Sequence, residues 1–245
     1  MIHPVPPRPD QPHDARVVSF VQRSGRLDPR LQRIWDQHAS RYVIDVPRDA
    51  PRTSLAGDYR LDPAQAFGRE APLVVEIGSG RGETIAAAAV AHPERNHLAC
   101  EVYVPGVART VARLAHEDAE HVRIVQADAV QLLGHALPEA SVDELWVFYP
   151  DPWHKSRHHK RRLVSPSFAR LVSRVLRDGG VWRIATDWAD YAEQIAQVLD
   201  GASDLEGGVV ERFAGRPETR FARKAREEGR PTTDFAVTRV ARQRG

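Results

Sequence analysis

The sequence has few of the residues that several protein classes require. It contains one cysteine, Cys100, in 245 residues, which excludes an internal disulfide and a cysteine-based metal cluster. It has no apolar stretch long enough to span a bilayer. The first 14 residues include five prolines and lack the apolar segment of a secretory signal peptide. We therefore expect a cytoplasmic protein without a metal site, and a disordered proline-rich tail at residues 1–15.

The net charge is small, but the charges are unevenly distributed. The formal net charge is +2, yet residues 70–150 carry 12 acidic and 5 basic side chains, whereas the rest of the chain carries 21 and 30. An acidic centre between basic flanks suits a cationic ligand inside and a polyanion outside. A solvated surface with uneven charge gives the same counts, so this segregation alone favours nucleic-acid binding only slightly.

Strand and helix patterns alternate from residue 71 to the C-terminus, which predicts a parallel sheet with helices on both faces. The predicted elements, in chain order, are strand 73–77, helix 84–91, strand 97–102, helix 105–117, strand 122–126, helix 130–136, strand 144–149, helix 167–177, strand 181–185 and helix 191–199. Gly179-Gly180 is expected to end the helix at 167–177. Segments 209–213 and 234–240 are predicted to form an antiparallel strand pair. The fold class is therefore α/β, a Rossmann-like, mostly parallel seven-stranded sheet.

Residues 16–70 are predicted to form a basic N-terminal extension, and residues 71–245 the main domain. Asp28-Pro29 is typical of a helix start, so we expect a helix from there to about His38. The prolines and glycines of 46–70 predict a loop. The extension is interpreted as a layer on the main domain with a basic outer face. Its first arginines are Arg16, Arg23, Arg26, Arg30, Arg33 and Arg41.

A glycine-rich stretch follows the first predicted strand. It reads Glu76-Ile-Gly78-Ser-Gly80-Arg-Gly82, and glycines at this spacing let the backbone approach a ligand closely at a helix start. A dinucleotide fingerprint would read GxGxxG, whereas this stretch reads GxGxG with an acid two residues before it. A carboxylate there suits a cationic ligand, such as the ammonium and sulfonium groups of S-adenosylmethionine, better than a pyrophosphate.

Two further acids follow the next two predicted strands. Glu101 ends the second strand, where a carboxylate can accept hydrogen bonds from both ribose hydroxyls of a nucleoside. Asp128 ends the third strand, where an acid can accept from an adenine amino group. Any one of these acids alone is more simply an ordinary loop residue. Acids at three successive strand ends favour a site for S-adenosylmethionine.

The fourth predicted strand leads into a turn in which two prolines flank one carboxylate. The turn reads Tyr149-Pro150-Asp151-Pro152, and each proline fixes its own φ and biases the preceding residue away from helix. Asp151 is therefore expected in a stiff turn at the ligand-binding edge of the sheet. A basic run follows, which suits a polyanion, although a solvated charge run is an equal alternative for any single residue. The run contains Lys155, Arg157, Lys160, Arg161 and Arg162.

Together these stretches resemble the bacterial tRNA (guanine-N7-)-methyltransferases. That family carries Glu-Ile-Gly-x-Gly-x-Gly, a Phe-Pro-Asp-Pro-Trp-x-Lys turn, Lys-Arg-Arg and Ala-Thr-Asp; this chain has residues 76–82, 149–155, 160–162 and 185–187 in those places. The resemblance, over about residues 16–240, implies a class I methyltransferase fold. It also implies S-adenosylmethionine as methyl donor and tRNA as substrate, with N7-methylguanosine formed in the variable loop. A monomer and a homodimer both stay open.

The resemblance also implies roles for individual residues. Asp151 matches the position assigned as catalytic, and we interpret its role as electrostatic and positioning rather than proton abstraction. The cofactor-binding set comprises Glu76, Gly78, Gly80, Gly82, Glu101, Asp128 and Asp151. The substrate-binding set comprises Lys155, Asp187, Thr219, Arg220 and Phe221. The expected tRNA phosphate contacts are Arg157, Lys160, Arg161 and Arg162, with a second bank of Arg212, Arg216, Arg220 and Arg223.

The chain departs from the family pattern near its C-terminus. The family reads Thr-Lys/Arg-Phe-Glu there, whereas this chain reads Thr219-Arg220-Phe221-Ala222. It also has Ala225 where the family has glycine. Two alternatives therefore stay open: a methyltransferase of the same fold that acts on another RNA or a small molecule, and a catalytically weakened RNA-binding homologue.

Overall fold

The computed structural model describes residues 27–50 and 53–241. The expected tail at 1–15, and the part of the basic extension before residue 27, lie outside these ranges. Seven strands form one sheet. They are β1 (Leu73–Ile77), β2 (Asn96–Cys100), β3 (Val122–Val125), β4 (Val142–Phe148), β5 (Leu176–Thr186), β6 (Leu205–Val210) and β7 (Thr233–Arg239). Their order in the sheet is β3-β2-β1-β4-β5-β7-β6, so the predicted number of strands and the fold class are confirmed.

Helices connect the strands and cover both faces of the sheet. They are α1 (Pro29–Tyr42), α2 (Pro63–Phe67), α3 (Glu83–Ala91), α4 (Val104–Glu117), α5 (Ala129–Gln131), α6 (Pro166–Val175), α7 (Ala189–Asp200) and α8 (Arg220–Glu227). A π-helical turn, Leu132–Ala136, continues α5, and a 3₁₀-helix, Ser156–Arg161, follows β4. The apolar sides of α1, α3 and α4 bury one cluster, and those of α6 and α7 belong to a second. The two clusters account for the layered arrangement.

The central strands place their carboxyl ends at one edge. All five residues of β1 are buried, as expected for a strand covered on both faces, and β1 pairs in parallel with β2 and β4. β2 pairs in parallel with β3, and β4 with β5. Since parallel strands end at the same edge, the segments after β1, β2, β3 and β4 converge there.

The C-terminal strands are antiparallel, as predicted. β7 pairs with β5 on one side and with β6 on the other. The strand predicted at 209–213 instead spans Leu205–Val210, and α8 lies between β6 and β7. The chain between these two strands therefore returns past the edge at which the parallel strands end.

The N-terminal helix α1 packs on the main domain. Its N-cap Asp28 accepts from the amides of Arg30 and Leu31, which confirms the predicted start. The helix continues to Tyr42, beyond the predicted end near His38, because Tyr42 is buried and its hydroxyl donates to the Leu114 carbonyl of α4 at 3.1 Å. Tertiary packing therefore sets the C-terminal end of α1.

The sequence-based prediction of a loop over residues 46–70 is partly wrong, because α2 lies within it. Asp62 accepts from the amides of Ala64 and Gln65, and a proline occupies the first helical position. A cap followed by proline is the signal that could have identified this short helix. Gly68, in the left-handed region, follows its end.

Gly179-Gly180 does not end a helix, contrary to the prediction. α6 ends at Val175, and the two glycines lie within β5, which begins at Leu176 opposite Val142. The pairing of β4 with β5 shifts register after this point. A Cβ at Gly180 would lie 2.8 Å from the Arg177 carbonyl oxygen, so the irregular strand requires glycine there.

Candidate active site

The glycine stretch forms the loop between β1 and α3. Gly78, Gly80 and Gly82 have φ of 73°, 59° and 70°, in the left-handed region that favours glycine. A Cβ at Gly82 would lie 2.5 Å from the Thr110 side chain of α4, so the loop packs tightly against that helix. The loop amides bond across to the end of β2: Gly78 N donates to the Cys100 carbonyl at 2.8 Å.

A cavity of about 730 Å³ opens at the carboxyl ends of the parallel strands. Its walls are the glycine loop, the start of α4, the turn after β4 and the start of α8. Of the residues predicted for the site, those that line it are Glu76, Gly78, Gly80, Glu101, Asp151, Arg161, Thr219, Arg220 and Phe221. Residues far apart in sequence therefore meet at one cavity, as the predicted topology requires.

Glu76 is buried at the base of the cavity, and its Oε2 atom has no hydrogen-bond partner within the described residues. Burial raises the pKa of Glu76 to about 8, although the Ile85 amide and the Thr84 side chain oppose that rise. A cation placed beside this carboxylate would favour its ionised form. The orphaned oxygen therefore fits a positively charged ligand.

Glu101 lies at the end of β2, and backbone amides hold its carboxylate in place. Its Oε2 accepts from Gly80 N at 2.7 Å, and its Oε1 accepts from the amides of Val102 and Tyr103 at 2.8 and 2.9 Å. Burial raises the pKa of Glu101, and these amides partly offset the effect. A carboxylate has about four acceptor positions, so one stays open for a ligand hydroxyl.

Asp128 caps the helix α5 beside the cavity. Its Oδ1 accepts from the amides of Val130 and Gln131 at 2.9 and 3.3 Å, which makes it the N-cap of α5. Its neighbours Ala127 and Ala129 line the cavity. The residue is thus placed next to the site, with one carboxylate oxygen already engaged by the backbone.

The turn after β4 presents Asp151 at the cavity. Tyr149 and Trp153, on either side of the two prolines, have φ of 52° and 45°, which is uncommon for residues other than glycine. Asp151 is exposed, and no described residue forms a hydrogen bond or ion pair with its carboxylate. The turn therefore combines a constrained backbone with a carboxylate that is free to interact with a ligand.

The basic run forms an exposed 3₁₀-helix beside the turn. Lys155, Arg157 and Lys160 are exposed, and they carry positive charge away from the cavity. Arg161 turns inward, because it lines the cavity and its guanidinium carbon lies 5.1 Å from the ring centroid of Trp153. The run thus connects a charged surface with the rim of the site.

Arg162 does not belong to this exposed surface, which corrects the expectation of a phosphate contact. It is 2% exposed and donates to the Pro152 carbonyl, to Asp190 and to the Gln194 side chain. It therefore anchors the proline turn to α7. The same correction applies to Arg216, which is 0% exposed and bonds both carboxylate oxygens of Asp234 at 2.7 Å.

Asp187 lies after β5 and is engaged by Arg230. The Oδ2 atom of Asp187 accepts from Nε of Arg230 at 2.8 Å and lies 2.7 Å from its Nη2. The Arg230 guanidinium also lies over Trp188, whose ring centroid is 3.9 Å from that of His154. Asp187 does not line the cavity. The contacts from Arg230 through Trp188 to His154 nevertheless connect Asp187 with the segment that carries Asp151.

Several cavity-lining residues were missed at the sequence level. Glu83 directly follows the glycine stretch at a helix start, a position that could have identified it. Arg81 lies within the glycine stretch itself, whereas Arg109 and Lys224 had no such signal, because they lie in helices whose orientation depends on packing. The missed residues are Arg81, Glu83, Arg109 and Lys224.

The described ranges contain neither a candidate metal-binding cluster nor a candidate membrane-spanning helix. Residues 27–50 and 53–241 contain no group of three or more His, Cys, Asp or Glu side chains placed to hold a metal ion. None of the helices in those ranges is long and apolar enough to cross a membrane.

Comparisons with known proteins identify the family. A family model described as "Putative methyltransferase" matches residues 70–235. A tRNA (guanine-N(7)-)-methyltransferase of a Nocardioides species is 47% identical over 242 residues, covering 95% of this chain and 94% of the relative. The protein of that name from Paenarthrobacter aurescens is 48% identical over 211 residues, covering 83% of this chain and 70% of the relative.

A solved structure shows the same fold at low identity. The 16S rRNA (adenine(1408)-N(1))-methyltransferase of Catenulisporales acidiphilia superposes with a TM-score of 0.52 and 17% identity, over 80% of this chain and 98% of the other. The likeness supports the fold of this chain, and the sequence matches at 47–48% identity show its family. The chain belongs to the tRNA (guanine-N(7)-)-methyltransferase family.

Proposed function

We propose that the protein transfers a methyl group from S-adenosylmethionine to N7 of a guanosine in the variable loop of tRNA. The observation that carries the proposal is the cavity, which the buried acids Glu76 and Glu101 line together with Asp151. The exposed cations of the 3₁₀-helix lie beside it. An acidic interior next to a basic surface suits a cationic donor and a polyanionic acceptor.

The chain's own residues fit S-adenosylmethionine. Glu76 offers to a cationic group a buried oxygen that no described residue hydrogen-bonds, and Glu101 keeps one acceptor position for a ribose hydroxyl. Gly78 and Gly80 of the glycine loop supply backbone without side chains at the cavity wall. Asp128, the N-cap of α5 beside the cavity, is assigned to the adenine end.

Asp151 is assigned a positioning and electrostatic role. When bound, S-adenosylmethionine supplies a methyl carbon activated by its sulfonium. Guanine N7 has a free lone pair at neutral pH, so no residue needs to remove a proton from it. Orientation of N7 toward the methyl carbon is the main requirement. Methylation places positive charge on the guanine ring, and the rigidly held Asp151 carboxylate stabilises that charge as it develops.

The RNA must present the guanine outside a regular duplex. N7 lies in the deep, narrow major groove of A-form RNA, so we expect the base to be unstacked or flipped. Lys155 is assigned to the substrate, with Arg157, Lys160 and Arg161 near its phosphates. Asp187 is assigned to the guanine N1–H and amino group, through the carboxylate oxygen that Arg230 leaves open. Thr219, Arg220 and Phe221 complete the substrate side of the cavity.

The decisive experiment measures methyl transfer from tritiated S-adenosylmethionine to unmodified tRNA. We expect transfer to a transcript with the variable-loop guanosine, and none to a transcript in which adenosine replaces it. Transfer to both would point to another target. Cofactor binding without transfer to any RNA would support a catalytically weakened RNA-binding homologue. Asp151→Ala should lower kcat by about 100-fold or more, with tRNA affinity within about threefold.

A further inference from the structure

The helix α8 is attached to the body of the protein at few points. Among its eight described residues, Ala225 alone is buried, and Phe221 is 60% exposed although it lines the cavity. Arg220 and Lys224 also line the cavity. The position of α8 therefore determines which side chains face the mouth of the cavity, although little apolar burial holds this helix in place.

The N-terminus of α8 lacks half of a common capping arrangement. Thr219 is the N-cap and its hydroxyl accepts from Ala222 N at 3.2 Å. In a capping box, Ser or Thr at the N-cap is followed three residues later by Glu or Gln, whose side chain accepts from the backbone N–H of the N-cap residue. This chain has Ala222 at that place. The helix start therefore has no carboxylate of its own in the first turn.

A carboxylate from another element occupies this helix start. Oε2 of Glu83, the first residue of α3, accepts from Arg220 N at 2.9 Å across 137 residues of sequence. Glu83 follows the glycine loop directly and itself lines the cavity. A negative charge near a helix N-terminus is favourable, because the exposed amides there carry partial positive charge. This contact joins the loop end of α3 to the start of α8.

We propose that Glu83 is a positioning residue that supplies, from α3, a carboxylate at the start of α8, where Ala222 provides none. The contact holds α8 at the mouth of the cavity, with Arg220 and Phe221 directed toward the substrate. It links the glycine loop to the substrate side of the site. The consequence for tRNA rests on the proposed function, whereas the consequence for α8 itself does not.

Glu83 also forms a long ion pair with Arg113, which supplies the competing explanation for its role. Nη2 of Arg113 lies 4.0 Å from Glu83 Oε1, and the Glu83 side chain is 29% exposed. A pair at that distance and exposure contributes little to stability. If Glu83 served only this surface pair, its removal would leave the exchange of α8 amides unchanged.

Amide hydrogen exchange of the full chain, followed by mass spectrometry, tests the contact without any assay of activity. In Glu83→Ala, peptides covering 219–228 should exchange about fivefold faster than in the natural protein, because a cap has been lost. Adding Ala222→Glu should restore the slow exchange by completing a local capping box. Glu227→Ala, which removes a carboxylate at the other end of α8, is the matched control and should not accelerate exchange of the first turn.

Steady-state methyl transfer with the same variants tests the consequence for the substrate. We expect Glu83→Ala to raise the KM for tRNA about fivefold, with the KM for S-adenosylmethionine within twofold, and Glu83→Ala/Ala222→Glu to recover both. Unchanged exchange in Glu83→Ala, or no recovery of exchange in the double variant, would overturn the role of Glu83. Altered exchange without methyl transfer by the natural protein would leave that role intact and count against the proposed function.

Discussion

Burial of the Glu76 carboxyl lowers the stability of the folded protein at neutral pH, but the same carboxyl can bind a cationic ligand. Its pKa is about 8 in the folded protein and near 4.5 when exposed, so the folded state keeps a proton that the unfolded chain releases. Stability therefore falls as pH rises from 4.5 to 8, and the loss at pH 7 is roughly 3 kcal/mol. Glu76→Gln should be more stable than the natural protein by that order at pH 7, in urea denaturation without ligand.

The same group should release a proton when S-adenosylmethionine binds. A cation beside Glu76 lowers its pKa, so at pH 6.5 binding should release up to one proton, and at pH 9 none. Isothermal titration in two buffers of different ionisation enthalpy measures that number. Glu76→Gln should bind more weakly and release none. Equal apparent enthalpies in both buffers for the natural protein would contradict this linkage.

His97 gives a pH dependence of opposite direction. The residue is 0% exposed on β2, and neither ring nitrogen has a partner within the described residues. Burial lowers the pKa of His97 to about 4, below its ordinary value of 6.5. Its contribution to stability is therefore complete above pH 6.5 and is lost as pH falls toward 4.

Replacement of His97 isolates that contribution. Between pH 7 and pH 5, the natural protein should lose about 2 kcal/mol more stability than His97→Leu, measured by urea denaturation. Parallel curves for the natural protein and His97→Leu would show that His97 is hydrated or paired.

Individual site residues were predictable where the chain's topology alone placed them. Glu76 lies near the carboxyl end of β1, and Glu101 and Asp151 follow β2 and β4; the carboxyl ends of parallel strands converge whatever the packing details. Arg162 shows the limit of this reasoning. It belongs to a run of cations in sequence, but its guanidinium is buried against α7 by partners 28 and 32 residues away. Charge patterns do not specify which side chain of a run turns inward.

At the level of elements, the 3₁₀-helix after the proline turn is the expected contact for RNA phosphates. Arg157 and Lys160 are exposed on it and do not line the cavity. Arg157→Ala/Lys160→Ala should weaken tRNA binding and reduce the slope of log affinity against log salt by about 1.5 to 2. The kcat at saturating tRNA should change by less than about threefold. Filter binding at several salt concentrations measures the slope.

Asp151→Ala is the comparison variant for the charged 3₁₀-helix. Asp151 lies in the adjoining turn, so its replacement should change kcat rather than the slope of log affinity against log salt. Equal effects of both variants on affinity and turnover would contradict the separation of the charged surface from the reacting centre.

Helix existence was predictable, whereas several helix ends were not. The periodic apolar residues of α6 and the cap of α1 carry local signals, and both helices form where expected. The end of α6 depends instead on the register between β4 and β5, which uses Gly179-Gly180 within the strand. A glycine pair after a helical pattern is compatible with a helix stop or a strand bulge, and only pairing with β4 decides between them.

At the scale of the whole molecule, a buried ion pair joins the C-terminal strands to the turn of the site. Arg216 bonds both carboxylate oxygens of Asp234 on β7, and its Nη1 donates to the Tyr149 hydroxyl. Asp234 is also buried. Breaking such a pair leaves an uncompensated charge in the interior, at about 3–5 kcal/mol.

Asp234→Asn should therefore lower the Tm by roughly 6–20 °C in a protein of this size, measured by calorimetry. Arg216→Met/Asp234→Leu should recover most of that loss, because neither charge stays buried. Asp118→Asn is the matched control, since it breaks the exposed pair with Arg41 and should shift the Tm by no more than about 4 °C. A small effect of Asp234→Asn, equal to that of Asp118→Asn, would mean that water reaches this pair and that the C-terminal strands are held to the site by apolar packing instead.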